Sequence, residues 1–267
     1  MKRFIFRCVS LRHLPGVVVF AALLAYLSGA CGGASPSVLP SGDGGVYVAL
    51  GDSVAEGENA SDPEATDYVA LVFDALREHY GGSLRLESLA VSGHTTQDLI
   101  EQQLPQALDF LRNGDVRVVT LSIAGNDIFG LAENSVCPTA PQDPACPFDD
   151  FIVETEGRLD TVLGELRNAG PETAIVIQVY PNPFAGTSSE GPGEYSFGRL
   201  NDLIEEVAAR HDVIVADPRE EFEGRAGELT GTLDSPPDLH PNDAGYEIFA
   251  TAFLEALGLA VAPSESR

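Results

Sequence analysis

The sequence contains no tryptophan, one methionine and four cysteines in 267 residues. It is also short of positive charge, with 15 lysines and arginines against 41 aspartates and glutamates, a formal net charge of −26. Lys2, Arg3, Arg7 and Arg12 lie in the first twelve residues, so the bases of the remaining chain are all arginine. Such a surface repels phosphate backbones and anionic headgroups, and nucleic acid is not an expected partner. Solubility, in a salty habitat, is the simple account of the acidity; attraction of a cationic substrate is the other. Without tryptophan, no aromatic-rich groove stands out. A metal site is not expected at Cys137 and Cys146, because no histidine lies near the segment CPTAPQDPAC. In an exported chain this pair is expected to close the Pro-rich loop as a disulfide.

Export is indicated at the N-terminus. The four early bases precede an apolar stretch at 16–27 that ends in Ser28-Gly29-Ala30-Cys31. The apolar stretch is shorter than the ~20 residues a membrane span needs, and small residues stand at the cut. Residues 1–30 therefore read as a signal peptide. Small residues directly before a cysteine resemble a bacterial lipoprotein box, with Cys31 lipidated and tethering the protein to a membrane. Plain secretion after Ala30 and an uncleaved anchor are the alternatives. Residues 31–45 (CGGASPSVLPSGDGG) bury little and read as a flexible tether. Residues 46–260 read as one catalytic-size domain and 261–267 as a disordered tail.

The apolar residues, 44% of the chain, are organised in alternation. Strands are expected at 46–50, 85–90, 116–123, 174–179 and 213–216, and helices at 66–80, 96–113, 148–168, 194–210 and 242–257. Several of the strand segments lack polar alternation, as expected of strands covered on both faces. Five β-α alternations without an internal repeat imply an α/β fold with a parallel sheet and helices on both sides. Ligands of such sheets sit beyond the carboxyl ends of the strands.

The unusual polar residues fall at those ends. Gly51-Asp52-Ser53 follows the first strand, and Gly51 permits a sharp turn. Taken alone, the triplet is an ordinary turn. Leu89-Ala-Val-Ser-Gly93-His94-Thr-Thr96 follows the second strand, Gly125-Asn126-Asp127 the third, and Asp238-Leu-His240-Pro-Asn242 precedes the last helix. Together they supply a hydroxyl, an imidazole base and three donors for a developing oxyanion: the Ser53 N–H, the Gly93 N–H and the Asn126 amide. Acyl transfer needs this set.

These four blocks, in this order, resemble the GDSL or SGNH hydrolase family over roughly residues 46–257. The resemblance implies a three-layer, flavodoxin-like α/β/α sandwich on a five-stranded parallel sheet, and ester hydrolysis without a cofactor or metal. It assigns Ser53 as nucleophile, His240 as general base, and Gly93 and Asn126 to the oxyanion hole. The family's usual acid stands three residues before the histidine, where this chain has Pro237. Asp238, Asp234 and the Pro237 carbonyl can each orient His240, and Asp238 is preferred. Asp52 reads as a cap for the Ser53 turn and Asp127 as a tie for the loop after the third strand. His94 reads as a loop histidine, or else as lining for an acyl pocket. Residues 129–148 are a candidate flap, and 181–186 a second wall.

The expected protein is a monomeric, exported serine esterase or lipase acting on a small-molecule ester, a fatty-acid ester or an acylated sugar. The alternative is a non-catalytic surface lipoprotein that binds a ligand with the same fold; a decayed site would have lost Ser53, Asn126 or His240, and all remain. A flavodoxin-type cofactor binder is disfavoured, because Glu56 and Glu58 stand where phosphate would sit.

Overall fold

A computed structural model describes residues 38–128 and 148–259. The 1–30 segment, Cys31, the Cys137–Cys146 pair, most of the candidate flap and the 261–267 tail lie outside these residues.

Five strands form one sheet: Gly45–Gly51 (β1), Leu84–Ser88 (β2), Val116–Ser122 (β3), Ala174–Gln178 (β4) and Ile214–Ala216 (β5). Their order is β2-β1-β3-β4-β5, and every pairing is parallel. Successive side chains of a strand point to opposite faces, and here both faces are apolar. Val48, Leu50, Val119, Leu121, Ile175 and Ile177 belong to one core cluster. Tyr47, Ala49, Val118, Ala174, Val176 and Ala216 belong to the other. This double burial is why several of the strand segments show no polar alternation in sequence, whereas β2, Leu84-Arg-Leu-Glu-Ser88, alternates.

The helices follow from where each strand must be covered. After β1 come Ser53–Glu56 (α1), Pro63–Thr66 (α2) and Tyr68–Tyr80 (α3). Asp67 separates the last two by capping α3, accepting the Ala70 N–H at 2.6 Å. After β2, Thr96–Asp98, Leu99–Gln103 and Leu104–Asn113 run on as one helical rod (α4) whose middle turn is π-helical. Phe148–Ala169 (α5) leads into β4, and Glu190–Arg210 (α6) into β5. Arg219–Phe222 (α7), Ala226–Leu229 (α8) and Asp243–Ala256 (α9) complete the described chain. Buried residues of α4, α5 and α6 pack with the first cluster, and those of α3 and α9 with the second. The result is a three-layer α/β/α sandwich.

Helix α6 starts four residues earlier than the sequence pattern predicts, with Pro192 in its first turn. A proline is tolerated there because no intrahelical donor is needed. Residues 38–44, within the stretch read as a tether, are held at the amino end of β3. Arg117 donates to the carbonyls of Ser41 and Gly44, and Leu39 is buried.

Candidate active site

The polar blocks meet at the carboxyl edge of the sheet. β1 runs into Gly51, whose φ is +148°; a Cβ there would strike the Ser122 carbonyl and the Ala55 methyl. Only glycine fits this turn. Asp52 caps α1 by accepting the Val54 N–H at 3.1 Å. Ser53 is therefore the first helical residue, where a backbone N–H has no intrahelical partner. Burial pushes the Asp52 carboxyl up to about 7, and the nearby Asp127 and Glu58 carboxylates push in the same direction.

Gln103 locks this turn. Its Oε1 accepts the Gly51 N–H at 2.9 Å, and its Nε2 donates to the Gly51 carbonyl at 2.8 Å. The same Nε2 donates to His94 Nδ1 at 2.9 Å. The His94 ring proton consequently sits on Nε2. The ring is turned onto Gln103 and does not line the cavity beside Ser53.

Gly93 has φ +80°, with open space where a Cβ would be. Its neighbours tie this turn to β1 and the α1 loop, with Val91 N–H donating to the Gly51 carbonyl. Ser92 N–H donates to Glu56 at 2.6 Å, and Ser92 Oγ–H to Glu58 at 3.0 Å. On the other side, Asn126 Nδ2 donates to the His94 carbonyl at 3.0 Å, which fixes the amide and leaves its second proton for another acceptor. Ala124 turns the chain into Asn126 with φ +91°, a strained conformation for a residue with a Cβ. Asp127 ties the loop to the start of α4, accepting from Thr96 N–H at 2.8 Å and from Thr96 Oγ–H. Burial raises its carboxyl pKa, while the Thr96 bonds and Arg158 pull it down.

His240 precedes α9, whose cap is Asn242. Asp238 Oδ1 accepts the His240 backbone N–H at 2.9 Å and lies 2.6 Å from Nδ1. A carboxylate only accepts, so the ring proton is on Nδ1 and Nε2 is a lone pair. Ser53 Oγ–H donates to that lone pair at 2.7 Å. The backbone of His240 is fixed as well, because its carbonyl accepts from Asn59 Nδ2 at 3.1 Å and from the Gly231 N–H at 3.2 Å. Among the described residues, Asp238 is the carboxylate that reaches Nδ1; Asp234 does not.

Beside Ser53 lies a cavity of about 430 Å³. Tyr180, Phe197, Phe222, Phe249, Leu239 and Pro183 supply much of its lining, so its walls are largely apolar. Pro181 and Pro183, from the predicted second wall, do face it. Among the described residues, no group of three or more His, Cys, Asp or Glu side chains is arranged to hold a metal ion.

The profile of the GDSL-like lipase/acylhydrolase family matches residues 49–248. The chain belongs to that family. Membership supports an ester hydrolase, in keeping with the hydroxyl, imidazole and carboxylate brought together here. A curated relative, the uncharacterized protein YpmR of Bacillus subtilis, is 22% identical over 232 residues, covering 82% of this chain and 84% of that protein. Among solved structures, a putative GDSL-like lipase from Parabacteroides merdae superposes with TM-score 0.64 at 18% identity, over 84% of this chain and 100% of the other. The acetylxylan esterase Axe2 of Geobacillus stearothermophilus gives 0.60 at 19% identity, over 84% and 99%. These superpositions show that the GDSL fold is shared.

Sequence reading missed Gln103, Glu58 and the aromatic cavity walls. Gln103 carries no local signal, since Glu101-Gln-Gln-Leu-Pro-Gln106 reads as a solvated helix surface. In the structure Gln103 is buried at the end of the π turn, on the same side as Leu99.

Proposed function

We propose that this GDSL hydrolase is an exported serine esterase that works through an acyl-Ser53 intermediate. The observation that carries the reading is the chain Asp238–His240–Ser53, with contacts of 2.6 and 2.7 Å. Ser53 Oγ attacks the ester carbonyl carbon while its proton passes to His240 Nε2. The imidazolium is held by Asp238, and the carbonyl oxygen, now an oxyanion, is met by the Ser53 N–H, the Gly93 N–H and the free proton of the Asn126 amide. Collapse expels the alcohol, which leaves with the proton from Nε2. Water then repeats the sequence on the acyl-enzyme, restoring Ser53 and releasing the acid.

The cavity narrows the substrate. At about 430 Å³ it falls within the ~300–1,000 Å³ of pockets that enclose a whole small ligand, far more than an acetyl methyl fills. Its apolar lining suits an aliphatic or aromatic acyl chain. Export through residues 1–30, a lipid anchor at Cys31 and a disulfide between Cys137 and Cys146 belong to the same proposal and rest on the sequence patterns alone. A panel of p-nitrophenyl esters from acetate to dodecanoate tests the substrate reading. The expected profile of kcat/KM peaks above acetate, between butyrate and decanoate. A maximum at acetate with steady decline would put the acyl group elsewhere.

A further inference from the structure

Glu58 belongs to none of the four sequence blocks, yet its carboxylate touches two of them. Oε2 lies 3.2 Å from His240 Nε2. Oε1 accepts Ser92 Oγ–H at 3.0 Å, one residue from Gly93. Its backbone is fixed as well. The Glu58 carbonyl accepts the Tyr246 hydroxyl at 2.7 Å, and the next residue, Asn59, donates to the His240 carbonyl at 3.1 Å. A loop hydrogen-bonded at three points to the histidine segment, α9 and the Gly93 turn is placed, not adventitious.

In the resting tautomer the Nε2 lone pair and the Glu58 carboxylate are both acceptors, and no bond joins them. The contact becomes attractive only when Nε2 carries a proton. That happens once in acylation, when the Ser53 proton arrives, and once in deacylation, when the proton of water arrives. We propose that Glu58 is a positioning residue that stabilises the His240 imidazolium from its Nε2 side. The cation formed in each half-reaction then lies between two carboxylates, Asp238 on Nδ1 and Glu58 on Nε2. Glu58 takes no proton itself. The proton moves from Ser53 or water to Nε2, and from Nε2 to the departing alcohol or to Ser53. This role rests on the reading of His240 as general base.

Among the described residues, further carboxylates lie on the elements around His240. Asp52 sits beneath Ser53, and Glu56 is held by the Ser92 N–H. Asp234 lies beside Gly231 on the histidine's own loop, and Asp243 on α9 is bonded to Ser61 and Thr66. Among the described residues, no arginine pairs with Glu58 or Asp238, both of which face His240. Their charge is therefore not neutralised by a neighbouring cation. The Glu58 side chain is 49% exposed, so salt screens its contribution.

Glu58→Gln keeps the shape and the acceptor for Ser92 while removing the charge. The acid limb of the kcat/KM–pH profile is expected to move down by about 0.3–0.7 unit, the size of an exposed charge pair. The plateau should fall about 2- to 5-fold on the same basis. Raising NaCl to 1 M should bring the wild-type limb toward that of the variant, whose own limb moves less. A purely structural role for Glu58 would move neither the limb nor its salt dependence. A second readout needs no turnover. The imidazole resonance of His240, assigned by its loss in His240→Ala, is followed by NMR through a pH titration in wild type and Glu58→Gln. A lower midpoint in the variant supports the proposal even if esters are not cleaved, in which case the esterase reading alone fails. Coincident midpoints, or coincident limbs in an active enzyme, overturn it and leave the esterase reading standing.

Discussion

Asp238 Oδ1 receives two hydrogen bonds from a single residue, the backbone N–H of His240 at 2.9 Å and its ring Nδ1–H at 2.6 Å. The pair of bonds fixes both the position of the ring and its tautomer. Asp238→Asn turns the acceptor into a side chain that can donate to Nδ1. The ring proton then shifts to Nε2, which can no longer take the Ser53 proton. The expected result is a fall in kcat of about 10²–10⁴-fold with KM little changed. Steady-state kinetics on an aryl ester check it. A loss under threefold, or an equal loss in Asp234→Asn, would assign the orienting role elsewhere.

Gln103 is buried and spends both ends of its amide on the nucleophile turn and on His94. Gln103→Leu fits the space but leaves the Gly51 N–H and His94 Nδ1 without partners. Buried unpaired groups cost about 1–3 kcal/mol each, so a loss of roughly 2–4 kcal/mol is expected in urea unfolding. Activity should fall by more than the unfolded fraction explains, since the Gly51 turn carries Ser53. A loss below about 0.5 kcal/mol, within the range of an ordinary surface substitution, would mean the turn holds itself.

Asp52 gives the protein an acid-side stability gradient. Its folded carboxyl titrates at about 7 against 3.8 for the free group, chiefly because it is buried. The folded state thus binds more protons than the unfolded state between about pH 4 and 7, and stability falls as pH rises through that window. The shift corresponds to something on the order of 4 kcal/mol at most. Asp67, raised to about 6 by burial, adds to the same trend. Asp52→Asn retains an acceptor for Val54 and removes one titration, so its Tm should decline less between pH 4.5 and 7.5. Parallel Tm–pH curves for wild type and variant would contradict the assignment.

Most of the sheet was legible because its central strands β1, β3 and β4 are buried on both faces, which writes apolar runs such as Ala174–Ile177 into the sequence. Ser53 and Asn126 stood out because they fall just after β1 and β3, where a glycine marks the turn, and His240 because it stands just before the last helix. Gln103, Glu58 and the cavity walls did not. Gln103 falls on the buried stripe with Leu99, Leu104, Ala107 and Leu108, but a glutamine among Glu and Gln neighbours gives no sign that its amide serves the nucleophile turn. Phe222 and Phe249 lie on separate helices, α7 and α9, and each reads as ordinary core until the fold brings them toward Ser53. The position of the carboxylate was ambiguous in sequence because Asp234 and Asp238 both lie near His240. The bend that folds Asp238 back onto its own histidine decides between them.

The central claim is that Ser53 is an activated nucleophile. An alkyl fluorophosphonate, followed by intact mass and peptide mapping, tests it without reference to the natural ester. One adduct per chain on Ser53 is expected, fast in the wild type, slowed in His240→Ala and absent in Ser53→Ala. No adduct in the wild type, or an adduct on another residue that persists in Ser53→Ala, would contradict the account.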